Sequence, residues 1–244
     1  MKKHFIILWL SFAVLLFFRV CTSAEGWFIL SPITCGLSVF LLVKNKKPSR
    51  KYVRLSVIFA VLSTVAYLGY RRNPFILIYG LRAGILTLLS SLAVFSVMEK
   101  QGGFELLKRP AAVSIIIAAA AGAVLSVVNT LISGDEIRFD FSLWKILLSL
   151  NPAIYEEMAC RAIFMAFCCY AADSQKMDAF EVFTMYFMMC VPHTVIHGYG
   201  LTETVILCLL FGLPFTVLQR KRDLASAMIS HGIVDAVRFT LTGF

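Results

Sequence analysis

The chain has 244 residues, of which 59% are hydrophobic and only 15% are charged, and its formal net charge is +9. A soluble domain usually has about 25% charged residues, so this composition excludes a water-soluble globular fold and indicates an integral membrane protein. The basic residues stand in short runs between apolar segments rather than on one folded face, which argues against a nucleic-acid partner.

Apolar segments follow one another along the whole chain, and most are long enough for a membrane-spanning helix, which needs roughly 20 residues. They predict an all-α fold, a polytopic transmembrane helical bundle of about eight or nine spans. The sixth segment is too long for one straight span. Pro152 has no backbone N–H and is expected to separate an interfacial turn at 141–150 from the crossing helix. The predicted spans are 5–21, 27–43, 53–70, 75–97, 111–133, 143–171, 179–198, 201–219 and 224–242.

The first span follows a basic start, and Thr22-Ser23-Ala24 resembles a signal-peptide cleavage site. Because Arg19 interrupts the apolar run and many spans follow it, we predict an uncleaved first helix. We predict that the protein lies in a bacterial-type plasma membrane and that its N-terminus is in the cytoplasm. Most basic loops then lie inside, as the positive-inside rule requires, and Arg71-Arg72-Asn73 is the exception. The predicted inner loops are 44–54, 99–109, 172–178 and 220–223, and the outer loops are 24–26, 134–140 and 199–200.

No soluble domain or repeat interrupts this pattern, so one integral membrane domain is predicted. Residues 1–140 are chemically quiet helices, in which Arg19 and Arg82 are the main interior charges and are expected to snorkel or to pair with a neighbouring helix. Residues 141–244 form the part in which chemistry is expected. The seven cysteines lie in apolar stretches without a CxxC pair, and we interpret them as small buried hydrophobic residues.

Ionisable residues interrupt the apolar segments of this C-terminal part. A charge inside a membrane costs roughly 2.5–3.5 kcal/mol on insertion scales, so such groups must pair, neutralise or line a wet cavity. Interhelical hydrogen bonding would explain one such pair, but seven residues within 80 positions favour a functional site. They are Glu156, Glu157, Arg161, His193, His197, His231 and Asp235.

Helical spacing separates the roles of the two adjacent glutamates. Glu157 and Arg161 are four residues apart, share one helix face and are expected to form an ion pair. Glu156 is turned about 100° away and is left to face a cavity. A carboxylate partly removed from water suits a general base near neutral pH, so Glu156 is the candidate base.

The histidines are compatible with two kinds of site. His193 and His197 form an HxxxH pair, which binds zinc where a third ligand arrives from elsewhere. His231, Glu156 and Asp235 are the candidates for that third ligand. A metal-free arrangement fits the spacing equally well, with Glu156 and one histidine holding a water molecule. His231 and Asp235, also four residues apart, would then stabilise an oxyanion.

These motifs, in this order, resemble those of the CPBP (Abi) intramembrane proteases, which include the type II CAAX prenyl proteases. That family has EExxxR, FxxxH and HxxxN or HxxxD on successive membrane helices. The chain has Glu156-Glu157-x-x-x-Arg161, then a histidine motif, then His231-x-x-x-Asp235. The resemblance covers about 143–242, while residues 1–140 are similar only in being membrane helices.

The resemblance implies hydrolysis of a peptide bond in or near the membrane. Glu156 and the second-motif histidine would activate water, while Glu157 and Arg161 would orient the site. His231 and Asp235 would bind the oxyanion. The implied partners are a peptide or protein substrate, lipidated or membrane-associated, and membrane lipid. Members of the family are often classed as metalloproteases, although a metal-independent glutamate mechanism is also proposed for them.

The second motif departs from the family pattern. With His193 as its histidine, Met189 stands in the place of phenylalanine, and with His197 that place is taken by His193. We prefer His193, because its distance from Glu156 is nearer the family's usual spacing, and keep His197 as an additional or ligand residue. An inactive family member that binds a peptide or confers immunity is the first alternative, and a proton-coupled transporter is the second.

Overall fold

In the computed structural model the chain is an all-α bundle, as predicted. The described residues are 2–21, 26–69, 75–134, 136–173 and 176–242, and they form nine helices without a strand among them. Each predicted span coincides with a helix to within a few residues. The helices are α1 (Lys2–Cys21), α2 (Gly26–Asn45), α3 (Arg50–Ala66), α4 (Ile76–Gln101), α5 (Ala111–Ser133), α6 (143–172), α7 (Ala179–Val195), α8 (Leu201–Arg222) and α9 (Leu224–Leu241).

Five of these helices are long and apolar enough to cross a membrane, and the chain is an integral membrane protein. They are α1, α2, α4, α5 and α8. Helices α3 and α7 are shorter, at 17 residues each, while α6 and α9 carry five of the seven ionisable residues singled out above. Large apolar side chains such as Leu10, Val124 and Leu209 are more than half exposed, as expected for a surface in contact with lipid.

Helix α6 is the centre of the bundle. Every residue from 151 to 169 is buried, and this helix packs against α3, α4, α7 and α9. Residues of both parts of the chain share one hydrophobic core around it, among them Leu41, Phe95 and Phe164. The charged groups of α6 are therefore held inside the protein rather than against lipid.

The hydrogen bonding of α6 changes at Pro152. Because Pro152 has no N–H, the carbonyl of Leu148 accepts from the N–H of Asn151 instead. The turns over 151–162 are π-helical, and the N–H of Ile163 reaches the carbonyl of Met158, five residues back. The predicted separation at Pro152 thus takes the form of a changed bonding pattern within one continuous helix. Long π-helical stretches are rare and are frequent at functional sites.

The loops gather at two ends of the bundle. At what we call the basic end, the segment 220–223 meets the loop 102–110: Arg220 Nη1 donates to Gly103 O over 2.6 Å, and Leu224 N donates to Glu105 O over 3.0 Å. At the opposite end, the segment 136–142 lies beside the end of α9, where Asp140 N donates to Thr240 O over 2.9 Å. The loops predicted to share one side of the membrane therefore lie together.

The cysteine prediction holds for most of the chain and is wrong at one position. Cys160, Cys168, Cys169 and Cys190 are buried, whereas Cys21 is exposed at the end of α1, because its side chain points out of the bundle. Cys35 and Cys208 are partly exposed.

Arg82 of α4 lies beside two aromatic rings. The Arg82 guanidinium lies 5.7 Å from the ring centre of Phe28 and 5.5 Å from that of Tyr79, which stabilises the cation by cation–π contact. The predictions for Thr22-Ser23-Ala24 and Arg71-Arg72-Asn73 lie outside the described residues.

Candidate active site

A cavity of about 590 Å³ lies between α6, α7, α8 and α9 and opens at the end opposite the basic end. The exposed residues Tyr199 and Arg238 lie at its mouth. Six of the seven ionisable residues singled out in the sequence line it: Glu156, Arg161, His193, His197, His231 and Asp235. The seventh, Glu157, is fully buried behind its wall.

Glu157 is held on all sides by donors. Its Oε1 pairs with Arg161 and lies 2.7 Å from His231 Nδ1. The side-chain amide of Gln219 donates to its Oε2 over 3.2 Å and to its backbone carbonyl over 3.3 Å. A buried carboxylate is tolerated when it is paired and hydrogen-bonded in this way. Glu157 therefore ties α6 to α8 and α9 and is out of reach of a ligand in the cavity.

Glu156 has the contrasting position. Its side chain lines the cavity, and its Oε2 lies 2.8 Å from His193 Nε2 and 3.9 Å from His231 Nε2. The two neighbouring glutamates are thus divided between a structural network and an accessible void. A carboxylate held by one histidine and facing a cavity can accept a proton from a bound water molecule.

The tautomer of His193 follows from its partners. Arg161 Nη2 lies 2.8 Å from His193 Nδ1, and a guanidinium can only donate, so Nδ1 must accept. The neutral ring then carries its proton on Nε2 and donates it to Glu156 Oε2. Trp27 of α2 contacts the same ring edge-on, with the ring centres 6.0 Å apart. These contacts fix the position of the His193 ring and determine that Nδ1 accepts and Nε2 donates.

His231 has an acidic neighbour at each ring nitrogen. Nδ1 faces Glu157, and Nε2 lies 3.3 Å from Asp235 Oδ2. The ring stacks on Phe215 of α8, with the centres 4.5 Å apart and an interplanar angle of 22°. Arg161 Nη1 also lies 3.3 Å from Nδ1. Nε2 is placed to donate to Asp235, and this side of the ring faces the cavity beside Glu156.

Three of the residues proposed as metal ligands come close together. Ligand atoms of Glu156, His193 and His197 lie within 4.8 Å of one another, while His231 is not part of this group. A metal-bound histidine usually donates its second ring N–H to a carboxylate or carbonyl. In this site Arg161 donates to that nitrogen of His193 instead and adds a positive charge beside the group. The donor set therefore fits zinc poorly.

The sequence did not indicate three of the residues that hold the site. Gln219 belongs to an apolar segment and directly precedes the basic run at 220–222, so it was interpreted as the end of a span. In the sequence, nothing distinguishes Phe215 from the other apolar residues of its predicted span. Trp27 belongs to the part of the chain described as chemically quiet, yet it contacts His193 and His197. The one signal in the sequence for these residues is the amide of Gln219 within an apolar segment.

Residues 138–237 match the family model described as type II CAAX prenyl endopeptidase Rce1-like. This segment contains all seven ionisable residues, three of the four helices around the cavity in full and most of the fourth. The resemblance stated from the motifs is confirmed over these residues. No curated protein and no solved structure matches the chain.

Proposed function

We propose that the chain is an endopeptidase that hydrolyses a peptide bond in or near the membrane, because residues 138–237 match the family model described as type II CAAX prenyl endopeptidase Rce1-like. One observation supports this above all. A carboxylate that faces a cavity, Glu156, is held by His193 directly beside a second carboxylate, Glu157, whose oxygens are all engaged.

Glu156 is the proposed general base. It takes a proton from a water molecule in the cavity, and the resulting hydroxide attacks the carbonyl carbon of the scissile bond. The N–H of His193 holds the carboxylate in the orientation that this transfer needs. Glu156 then passes the proton to the leaving amine as the C–N bond breaks, which completes hydrolysis without a covalent enzyme intermediate.

His231 is the proposed oxyanion donor. Its Nε2 lies 3.9 Å from Glu156 Oε2, so a carbonyl attacked by water at Glu156 has its oxygen within reach of this N–H. Asp235 accepts from the same nitrogen, while Glu157 holds the other nitrogen. Arg161 and Gln219 act through these groups by holding Glu157.

A metal-free mechanism is the version that we propose. Its support is the guanidinium of Arg161 on His193 Nδ1, where a zinc ligand would normally find an acceptor. In this version His197, which is exposed and lies 3.4 Å from His193 through their Nε2 atoms, lines the approach to the site.

The test uses the full chain in liposomes with a library of membrane-anchored peptides, both farnesylated and unmodified. We expect Glu156→Gln to slow cleavage by a factor of at least about 10², the usual contribution of a general base. Glu136→Gln is the matched control, since Glu136 is an exposed surface acid far from the ionisable cluster in sequence. Cleavage that is unchanged in Glu156→Gln would disprove the mechanism, and binding of a peptide without cleavage by the wild type would support the inactive alternative.

A further inference from the structure

The members of the ionisable cluster on α7 and α9 lie nearer one end of their helices than the other. Asp235 is six residues before the end of α9 at Leu241 and eleven after its start at Leu224. At a rise of 1.5 Å per residue these separations are roughly 9 Å and 16 Å. His193 is two residues before the end of α7 at Val195 and fourteen after its start, which is roughly 3 Å against 21 Å.

The cavity opens at that nearer end. Tyr199, in the loop after α7, is 45% exposed, and Arg238 in the last turn of α9 is also exposed. Both residues line the cavity. The hydrogen bond of Arg138 N to Leu241 O, 2.7 Å long, places the loop 134–140 at the same end. Water and an extended peptide therefore reach Glu156 from this side.

The two ends differ in charge, and Arg71-Arg72, in the segment between α3 and α4, is the exception to this difference in the sequence. The segment 44–54 carries six basic residues and no acidic one, and it touches the other loops of the basic end, since Ser49 N donates to Glu99 Oε2 over 2.6 Å. At the opposite end, the segment 134–142 carries three acidic residues and one basic one. Short loops rich in Lys and Arg stay on the cytoplasmic side of a membrane, because translocating them is disfavoured.

We infer that the active-site cavity opens on the extracytoplasmic face of the membrane. The substrate class is then a peptide segment that is exposed on that face and tethered by its own membrane anchor or lipid, rather than the cytoplasmic terminus of a protein. The chemistry in this inference rests on the proposed function, whereas the sidedness rests on the charge distribution and the position of the mouth.

Sidedness is tested first by thiol labelling of intact bacterial cells with a membrane-impermeant maleimide. The parent chain carries Cys21→Ser, because Cys21 is exposed. Glu136→Cys reports the mouth end and Lys221→Cys reports the basic end, and both native side chains are exposed. We expect labelling of Glu136→Cys in intact cells and of Lys221→Cys only after lysis. The reverse pattern overturns the inference.

The second arm compares new peptide termini in cells that produce the wild type or Glu156→Gln, by mass spectrometry of membrane and medium fractions. Termini that depend on Glu156 and lie in extracytoplasmic segments support the inference, and such termini in cytoplasmic segments overturn it while leaving the proposed function intact. If no terminus depends on Glu156, although Glu136→Cys is labelled in intact cells, the proposed function fails and the substrate class fails with it.

Discussion

Two adjacent glutamates occupy different environments. Glu157 is 0% exposed and bonded to Arg161, His231 and Gln219, whereas Glu156 borders a cavity. Identical side chains thus have different chemistry, because the backbone of α6 directs one towards α8 and α9 and the other towards the void. Substitutions at these two positions should separate stability from activity.

Glu157→Gln is expected to lower the free energy of unfolding by about 3–5 kcal/mol, because it leaves the buried charge of Arg161 without its anion. Thermal unfolding in detergent, followed by circular dichroism, measures the change. Glu156→Gln is the control and should unfold close to the wild type, since its side chain borders a cavity. Equal stability of Glu157→Gln and the wild type would contradict the structural role given to Glu157.

His193→Gln should keep more activity than His193→Leu. The amide of glutamine places an N–H near the position of the imidazole Nε2, so the hydrogen bond to Glu156 has a substitute, whereas leucine offers none. Both variants are assayed with and without a chelator. We expect the chelator to leave the activity of the wild type and of His193→Gln unchanged. A loss of wild-type activity that added zinc restores would show that His193 serves as a ligand instead.

At the scale of elements, the position of His231 and Asp235 depends on how closely α9 packs on α5. Gly122 of α5 lies against α9, where an added Cβ would stand 2.9 Å from Ile233 Cβ and 3.0 Å from Ser230 O. The absence of a side chain at this position lets the two helices approach, as small residues commonly do between membrane helices. Helix α9 carries His231 and Asp235, so this contact also sets the geometry of the site.

Gly122→Ala is therefore expected to lower stability by roughly 1–3 kcal/mol through overpacking, and to reduce the cleavage rate as α9 shifts. Gly36→Ala is the matched control, because nothing lies within 4 Å of the added Cβ in α2. That change should be neutral or slightly stabilising, since alanine favours a helix more than glycine does. A Gly122→Ala variant as stable as Gly36→Ala would show that the contact is looser than described.

Asp223 joins three elements at the basic end. It is buried, caps α9 by accepting from Ser226 N over 2.7 Å, and accepts from Lys108 N over 3.0 Å and from the hydroxyl of Ser114. Burial opposes its ionisation, but the hydrogen bonds from Ser114, Lys108 and Ser226 outweigh this and lower its pKa below the usual value. The charged form is therefore the one that stabilises the fold.

Asp223→Asn tests this through pH. The stabilisation by the ionised form is fully present above the pKa of the unfolded chain, about 3.9, and is lost as the pH falls through the lowered pKa of the folded state. At neutral pH the variant should be less stable by about 1–2 kcal/mol, because bonds to a charged acceptor are stronger. The difference in unfolding temperature between Asp223→Asn and the wild type should shrink from neutral to strongly acidic pH. A difference that stays constant would contradict the role given to the ionised form of Asp223.

At the scale of the whole molecule, the sequence was a good guide to the helices and to the ionisable cluster. A span of apolar residues has few alternatives in a membrane, and ionisable residues such as His231 and Asp235 are conspicuous within one. The predicted inner loops 44–54, 99–109 and 220–223 lie at one end of the bundle, while the side of the membrane that each end faces stays a prediction.

Properties that depend on tertiary contact were not predicted. The π-helical turns of α6 follow from a missing N–H at Pro152 combined with packing on all sides. The amide of Gln219 reaches Glu157 across 62 positions of sequence, and Trp27 reaches His193 from a helix that carries no ionisable residue of the site. No local pattern encodes such distances, because they depend on how the helices pack.

One part of the cavity wall packs only loosely against the rest of the bundle. The first turns of α8, Leu201–Leu207, contain no buried residue, although Leu207 lines the cavity. Segments with the fewest buried apolar contacts open at the lowest free-energy cost. The barrier between the hydrocarbon of the bilayer and Glu156 is thus loosely packed where α8 begins, and this is where we expect a membrane-embedded peptide to enter the cavity.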